Sequence, residues 1–160
     1  MKKLPFYLKI TSFCLLIFIW DYIFIHYREL PKIIPIHFDF HGNPDGFAPK
    51  MMIWVLAGIA TFLYLLLYLV SKNKNSSLLN MPQNVKDSVN ASLIIDSMNL
   101  VVMLMLAVIS SESISVGLGK ADGLSPIINY LVILLIVGVV GILIYSNIIS
   151  KRDRSQNSTN

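Results

Sequence analysis

Residues 51–70 are a run of twenty without a charged side chain. A helix needs about 20 apolar residues to cross the roughly 30 Å hydrocarbon layer of a bilayer, so this run is long enough to span one. Trp54, Tyr64 and Tyr68 stand toward its ends, where amphipathic rings favour the membrane interface. A second charge-free stretch covers 123–150. Within it Ser125 can cap free N–H groups and Pro126 suits a first helical turn, which places a span at 127–149. Two less pure spans are expected at 4–27, interrupted by Lys9, Asp21 and His26, and at 91–109, interrupted by Asp96 and Asn99. Burial in a soluble core is the competing reading. With 55% of 160 residues hydrophobic and 14% charged, a small core cannot hide the apolar surface. The same ratio excludes a disordered chain. The expected fold is all-α: a single integral-membrane domain over 1–160 with four transmembrane helices.

Charge placement gives an orientation. Lys and Arg favour the cytoplasmic side. The amino end, segment 71–90 and the tail 151–160 together carry 9 basic residues, while 28–50 and 110–126 carry 4. Both termini are therefore expected in the cytoplasm, with 28–50 and 110–126 outside. The first span ends in Trp20, Asp21, Tyr22, Ile23 and Phe24, without a small-x-small cleavage site, so it reads as a retained anchor. The net charge of +4 is accounted for by these flanks and does not point to nucleic acid. Cys14 is the only cysteine, which excludes an intrachain disulfide. Asn80 and Pro82 read as a helix start inside the cytoplasmic segment. The polar end 155–160 is expected to fray.

The external segment 28–50 carries Pro31, Pro35, Pro44 and Pro49, each of which removes a donor and disfavours helix before it. An extended, ordered loop is expected. Ile36, Phe38 and Phe40 alternate with His37, Asp39 and His41, so period two places the apolar three on one face and the polar three on the other. Gly42 to Gly46 is a turn cluster. His37, Asp39 and His41, with Asp45 after the turn, are imidazole and carboxylate groups of the kind that bind zinc-like divalent ions. The alternative is that His37 and Asp45 brace the loop while Asp39 and His41 are solvated. Both readings are open at this point.

The stretch Leu30, Pro31, Ile34, Pro35, His37, Phe38, Gly42, Pro44, Asp45, Lys50 resembles the signature of domain of unknown function 1648. That bacterial membrane family has the pattern Leu-Pro-x-x-Ile-Pro-x-His-Phe-x-x-x-Gly-x-Pro-Asp followed by a basic residue. All ten positions match in residue type and spacing. The resemblance covers the end of the first span, the loop and the start of the second. The same domain opens SdpI-type immunity membrane proteins, which protect a producer cell from its own secreted toxin and relay the toxin signal to a cytoplasmic repressor. The resemblance thus implies a bacterial membrane location and makes immunity or sensing the leading expectation. The further motif of those proteins is not matched in 91–160.

Three intramembrane polar residues need partners or water. Asp21 is expected to join Arg28 and Lys50 in a charge network at the outer rim. Asp96 and Asn99 share a stripe with Ser92 and Met103, at spacings of four, three and four, which should face the bundle or a partner. Asp21 and Asp96 lie too far apart in depth for an acid/base pair. Ala57 and Thr61 have the four-residue spacing of small residues at helix contacts. No phosphate loop, nucleophile elbow or HExxH motif is present, so no catalytic residue is expected. The expected function is non-enzymatic recognition of an extracytoplasmic peptide or toxin, with a cytoplasmic regulator or a second copy as further partners in the lipid bilayer. The alternatives are a small transporter or channel component using Asp21 and Asp96, and a membrane metalloprotein centred on His37. No cofactor is expected beyond such a metal.

Overall fold

The computed structural model describes residues 3–73 and 89–157; for 89–91, 142–143 and 145–157 only the backbone is described. The expected helix start at Asn80 and Pro82 lies outside these residues. The described chain runs helix α1 (Leu4–His26), strand β1 (Ile33–Phe38), strand β2 (Pro44–Pro49), a 3-10 turn (Lys50–Met52), α2 (Ile53–Lys72), α3 (Val89–Gly117) and α4 (Ile127–Asn157). The segments Leu4–His26, Lys50–Lys72 and Ser92–Gly117 are each long and apolar enough to cross a membrane. The chain is a multi-pass membrane protein, mostly helical. The apolar run of α4 whose side chains are described, Ile127–Gly141, is shorter than a span needs.

α1 and α2 each turn one narrow stripe inward. In α1 the buried residues are Ser12, Leu16, Ile19 and Ile23, and in α2 they are Ile53, Ala57, Ala60, Tyr64 and Ser71. These spacings of three and four are one helical face. Large apolar side chains such as Phe6, Phe24, Phe62 and Leu69 point outward instead. A soluble protein does the reverse; outward Phe and Leu suit a hydrocarbon solvent. Ala57 and Ala60 are fully buried, and small residues there let backbones approach closely. Thr61 bonds back to the Ala57 carbonyl at 2.9 Å and accepts from Trp20 Nε1 of α1 at 3.0 Å.

α3 is the hub. It packs against α1, α2, α4 and β1, and more of it is buried than of α1 or α2. It also runs further than the expected span 91–109 and leaves 118–126 as the connection to α4. The polar run after Ile109 does not stop the helix because its hydroxyls bond to their own helix. Ser110 donates to the Leu106 carbonyl at 2.7 Å, Ser111 to Val108 at 3.0 Å and Ser115 to Ser111 at 2.9 Å. α3 ends in a Schellman motif at Gly119, where φ is +69°. There Gly119 N–H bonds the Val116 carbonyl and Lys120 N–H the Ser115 carbonyl. α4 continues as helix to Asn157, so residues 155–157 of the end expected to fray are helical.

The loop 28–50 folds as an antiparallel hairpin, a feature the all-α expectation lacked. Its ladder pairs Ile34 with Ala48, Pro35 with Phe47, and His37 with Gly46. Irregularities fall between Pro35 and His37 and between His37 and Phe38. These bulges overturn the simple alternation, because each extra residue rotates the side chains that follow. The buried strand residues are the neighbours Ile34 and Pro35, while Ile36 and Phe40 are exposed. The expected apolar face of Ile36, Phe38 and Phe40 therefore does not form.

Candidate functional site

Two polar clusters stand out, one at each end of the bundle. At the hairpin end, most of the Leu-Pro-x-x-Ile-Pro signature serves folding. Leu30 and Ile34 are buried in the core, and their side chains lie over Gly117 at the end of α3. Lys50 reaches back to the carbonyls of Tyr27 and Leu30, each at 3.0 Å, and its ammonium lies 4.7 Å from the Tyr27 ring centroid. A cation on the Tyr27 carbonyl, at the C-cap of α1, complements the helix dipole. This replaces the expected Asp21–Arg28–Lys50 network. Asp21 points outward from α1 and makes no ion pair among the described residues, because the stranded carbonyls, not Asp21, take the Lys50 charge.

The hairpin tip is built on Asp39. Its carboxylate accepts from the backbone N–H of His41 and of Asn43, both at 2.8 Å, and from Asn43 Nδ2 at 3.0 Å. The Asn43 side-chain amide, foremost among these donors, holds the Asp39 carboxyl below its ordinary value. Gly42 follows with φ +85°. Its carbonyl accepts from Leu124 N–H at 2.8 Å, and Asn129 Nδ2 of α4 donates to the Phe40 carbonyl at 3.1 Å. The tip is thereby clasped to the loop before α4. Glu112, which the sequence reading passed over, holds that loop from α3. It accepts from Ser125 N–H at 2.7 Å and from the Ser125 hydroxyl at 2.5 Å.

Besides Pro31, two signature residues remain exposed, and these two pair with each other. His37 Nδ1 and Asp45 Oδ1 are 2.5 Å apart across the bulged ladder, with the side chains 72% and 46% exposed. His37 and Asp45 thus bond each other across the two strands, whereas Asp39, expected to be solvated, holds the tip and His41 gives it a backbone N–H. Among the described residues no group of three or more His, Cys, Asp or Glu is placed to hold a metal ion. The set His37, Asp39, His41 and Asp45 thus does not fit a metal face. Ile33, Ile36, Phe40 and Phe47 are exposed on the same hairpin.

At the opposite end, three helices bring together Lys9, Ser71 and Asp96. Ser71 donates to Asp96 Oδ1 at 2.6 Å, and Lys9 Nζ lies 3.6 Å from Asp96 Oδ2. Asp96 and Asn99 are each 1% exposed. Asp96 Oδ2 and Asn99 Oδ1 are buried without a hydrogen-bond partner. Leaving a buried acceptor unmet costs about 1–3 kcal/mol, so two together call for an explanation. The stripe pattern pointed Asp96 and Asn99 inward, but the partners of Asp96, Lys9 and Ser71, come from α1 and α2, which spacing along one helix cannot identify.

Residues 13–61 match the family model described as "Domain of unknown function (DUF1648)". The match covers most of α1, the hairpin and the first part of α2. No curated protein and no solved structure matches the chain.

Proposed function

We propose that the hairpin is an external recognition element of a four-span bacterial inner-membrane protein, and that it binds a secreted peptide or toxin. In this reading both termini are cytoplasmic and α4 is the fourth span. The bundle protects the cell or relays occupancy to a cytoplasmic regulator, as in SdpI-type immunity, and no bond is made or broken.

One observation carries the reading. Leu30, Ile34, Pro35, Gly42 and Lys50 of the signature are used up in folding and docking the hairpin, whereas His37 and Asp45 face solvent. An exposed polar pair adds little stability, on the order of 0–1 kcal/mol, so these side chains can serve a contact outside the fold. Exposed Phe40 and Phe47 beside it are the kind of anchor that recognition surfaces use. Presentation on an ordered ladder reduces the ordering cost of binding. The 9 basic residues on the opposite flanks, against 4 on the hairpin side, support an outward hairpin.

The test is resistance. Deleting the gene should sensitise cells to a secreted antimicrobial peptide, and a His37→Ala, Asp45→Ala double variant that reaches the membrane at normal levels should fail to restore resistance. Unchanged sensitivity across a broad peptide panel, or full rescue by the double variant, would overturn the reading.

A further inference from the structure

The inward cluster at the other end of the bundle has its own chemistry and stands whether or not the hairpin binds a peptide. We propose that Ser71, Asp96 and Asn99 form a binding site for a small monovalent cation, and that Lys9 occupies the site as a tethered substitute until the cation displaces it.

The donors are a carboxylate, an amide carbonyl and a hydroxyl. These hard oxygen ligands suit alkali cations, and the absence of imidazole and thiolate from the cluster argues against a transition metal. Asp96 and Asn99 are one turn apart on α3, so their side chains are neighbours on a single face. Two buried oxygens, Asp96 Oδ2 and Asn99 Oδ1, accept no hydrogen bond, and Asp96 Oδ2 has only the Lys9 ammonium at 3.6 Å beside it. Ser71 holds the other carboxylate oxygen at 2.6 Å, which fixes the orientation of the carboxylate. A cation here would meet acceptors already desolvated and in place, with water filling any remaining position.

Charge selects the valence. One carboxylate balances one positive charge, and Lys9 now supplies it from 3.6 Å, close enough for attraction but beyond a hydrogen bond. A monovalent ion in its place keeps the buried site neutral, whereas a divalent ion would leave an excess charge in low dielectric. Lys9 can withdraw. It is 30% exposed and lies near the start of α1, about 7.5 Å of helix rise from Leu4. A lysine stem spans most of that distance and lets the ammonium reach the membrane edge. The Tyr68 ring, 5.7 Å from Nζ, lies along the edge of the site.

The experiment is a thermal-unfolding titration of the full-length protein in micelles with NaCl, exchanged against choline chloride at constant ionic strength and pH. The wild type should show a saturable rise in Tm with Na⁺ that choline does not reproduce. Lys9→Gln removes the competitor. If Lys9 fills the site about nine-tenths of the time, the Na⁺ midpoint should fall about tenfold. Asp96→Asn should abolish the response, but it also strands Lys9 and can unfold the bundle. Asn99→Ala is therefore measured beside it, since it leaves the Lys9–Asp96 pair intact; the Na⁺ midpoint should rise several-fold. Equal Tm in Na⁺ and choline for both wild type and Lys9→Gln would overturn the proposal. So would an Asn99→Ala loss of Tm that is the same in both salts with an unchanged midpoint, or a response to pH with none to alkali cations.

Discussion

The backbone N–H of Leu124 donates to the carbonyl of Gly42 at 2.8 Å, and this bond joins the hairpin tip to the loop that starts α4. The two backbones approach so closely that a Cβ on Gly42 would stand 2.4 Å from the Leu124 carbonyl oxygen. A Cβ on Gly123 would stand 2.4 Å from the Gly42 oxygen. The hairpin is therefore held at both ends, by Lys50 at its base and by this clasp at its tip.

Gly42→Ala should destabilise the protein more than Gly119→Ala. Both positions have positive φ, which costs a side-chain-bearing residue about 1–2 kcal/mol. At Gly119 nothing lies within 4 Å of the added carbon, whereas at Gly42 it meets backbone that must move. Comparing the two unfolding midpoints in one detergent isolates the clasp. Equal losses would show that the tip shifts without strain.

Lys50→Met should loosen the junction between α1 and the hairpin. It keeps the stem but strands the carbonyls of Tyr27 and Leu30, and hydrogen bonds to a charged group contribute about 1.5–3 kcal/mol. Amide exchange over residues 28–38 should accelerate while the middle of α3 stays protected. Unchanged exchange would mean that the Leu30 and Ile34 packing alone sets the junction.

Three spans were legible because apolar length is a direct consequence of the solvent: 51–70 could be read from a charge-free run, and α1 from an apolar run broken only by Lys9, Asp21 and His26. The end of α3 was not legible, because Ser110, Ser111 and Ser115 look like loop residues until their hydroxyls are seen on their own helix carbonyls. The hairpin was hidden by its prolines, which lower strand expectation, and its bulges broke the period that pattern reading relies on. Lys9 and Asp96 were each visible as charges within spans. Their pairing was not, because the residues are far apart in sequence and only helix packing sets their distance. Glu112 was missed because its partner Ser125 already read as an ordinary helix cap.

Glu112→Ala should unseat the loop before α4. The carboxylate holds both the N–H and the hydroxyl of Ser125, and its loss leaves a part-buried donor unmet, at about 1–3 kcal/mol. Protease access to residues 118–126 should rise several-fold, and Glu112→Gln should fall between the variant and wild type. A cleavage rate equal to wild type would show that the Gly42–Leu124 bond suffices.

Acidification should open the hairpin tip through Asp39. Its folded pKa lies below the ordinary value near 3.8, because the ionised form is held chiefly by the Asn43 side-chain amide and by the Asn43 backbone N–H. A lowered folded pKa contributes stability above the unfolded value, and that contribution is lost as pH falls through the folded value. The tip should therefore be unchanged from neutral pH down to the ordinary carboxylate range and loosen only below it. The readout is the backbone amide resonances of His41 and Asn43 followed from pH 6 downward in micelles. Asp39→Asn keeps an acceptor oxygen for both backbone donors but has no proton to gain, so its tip should be independent of pH across the same range. If the variant and wild type titrate alike, the transition belongs to another group and Asp39 is not what organises the turn at low pH.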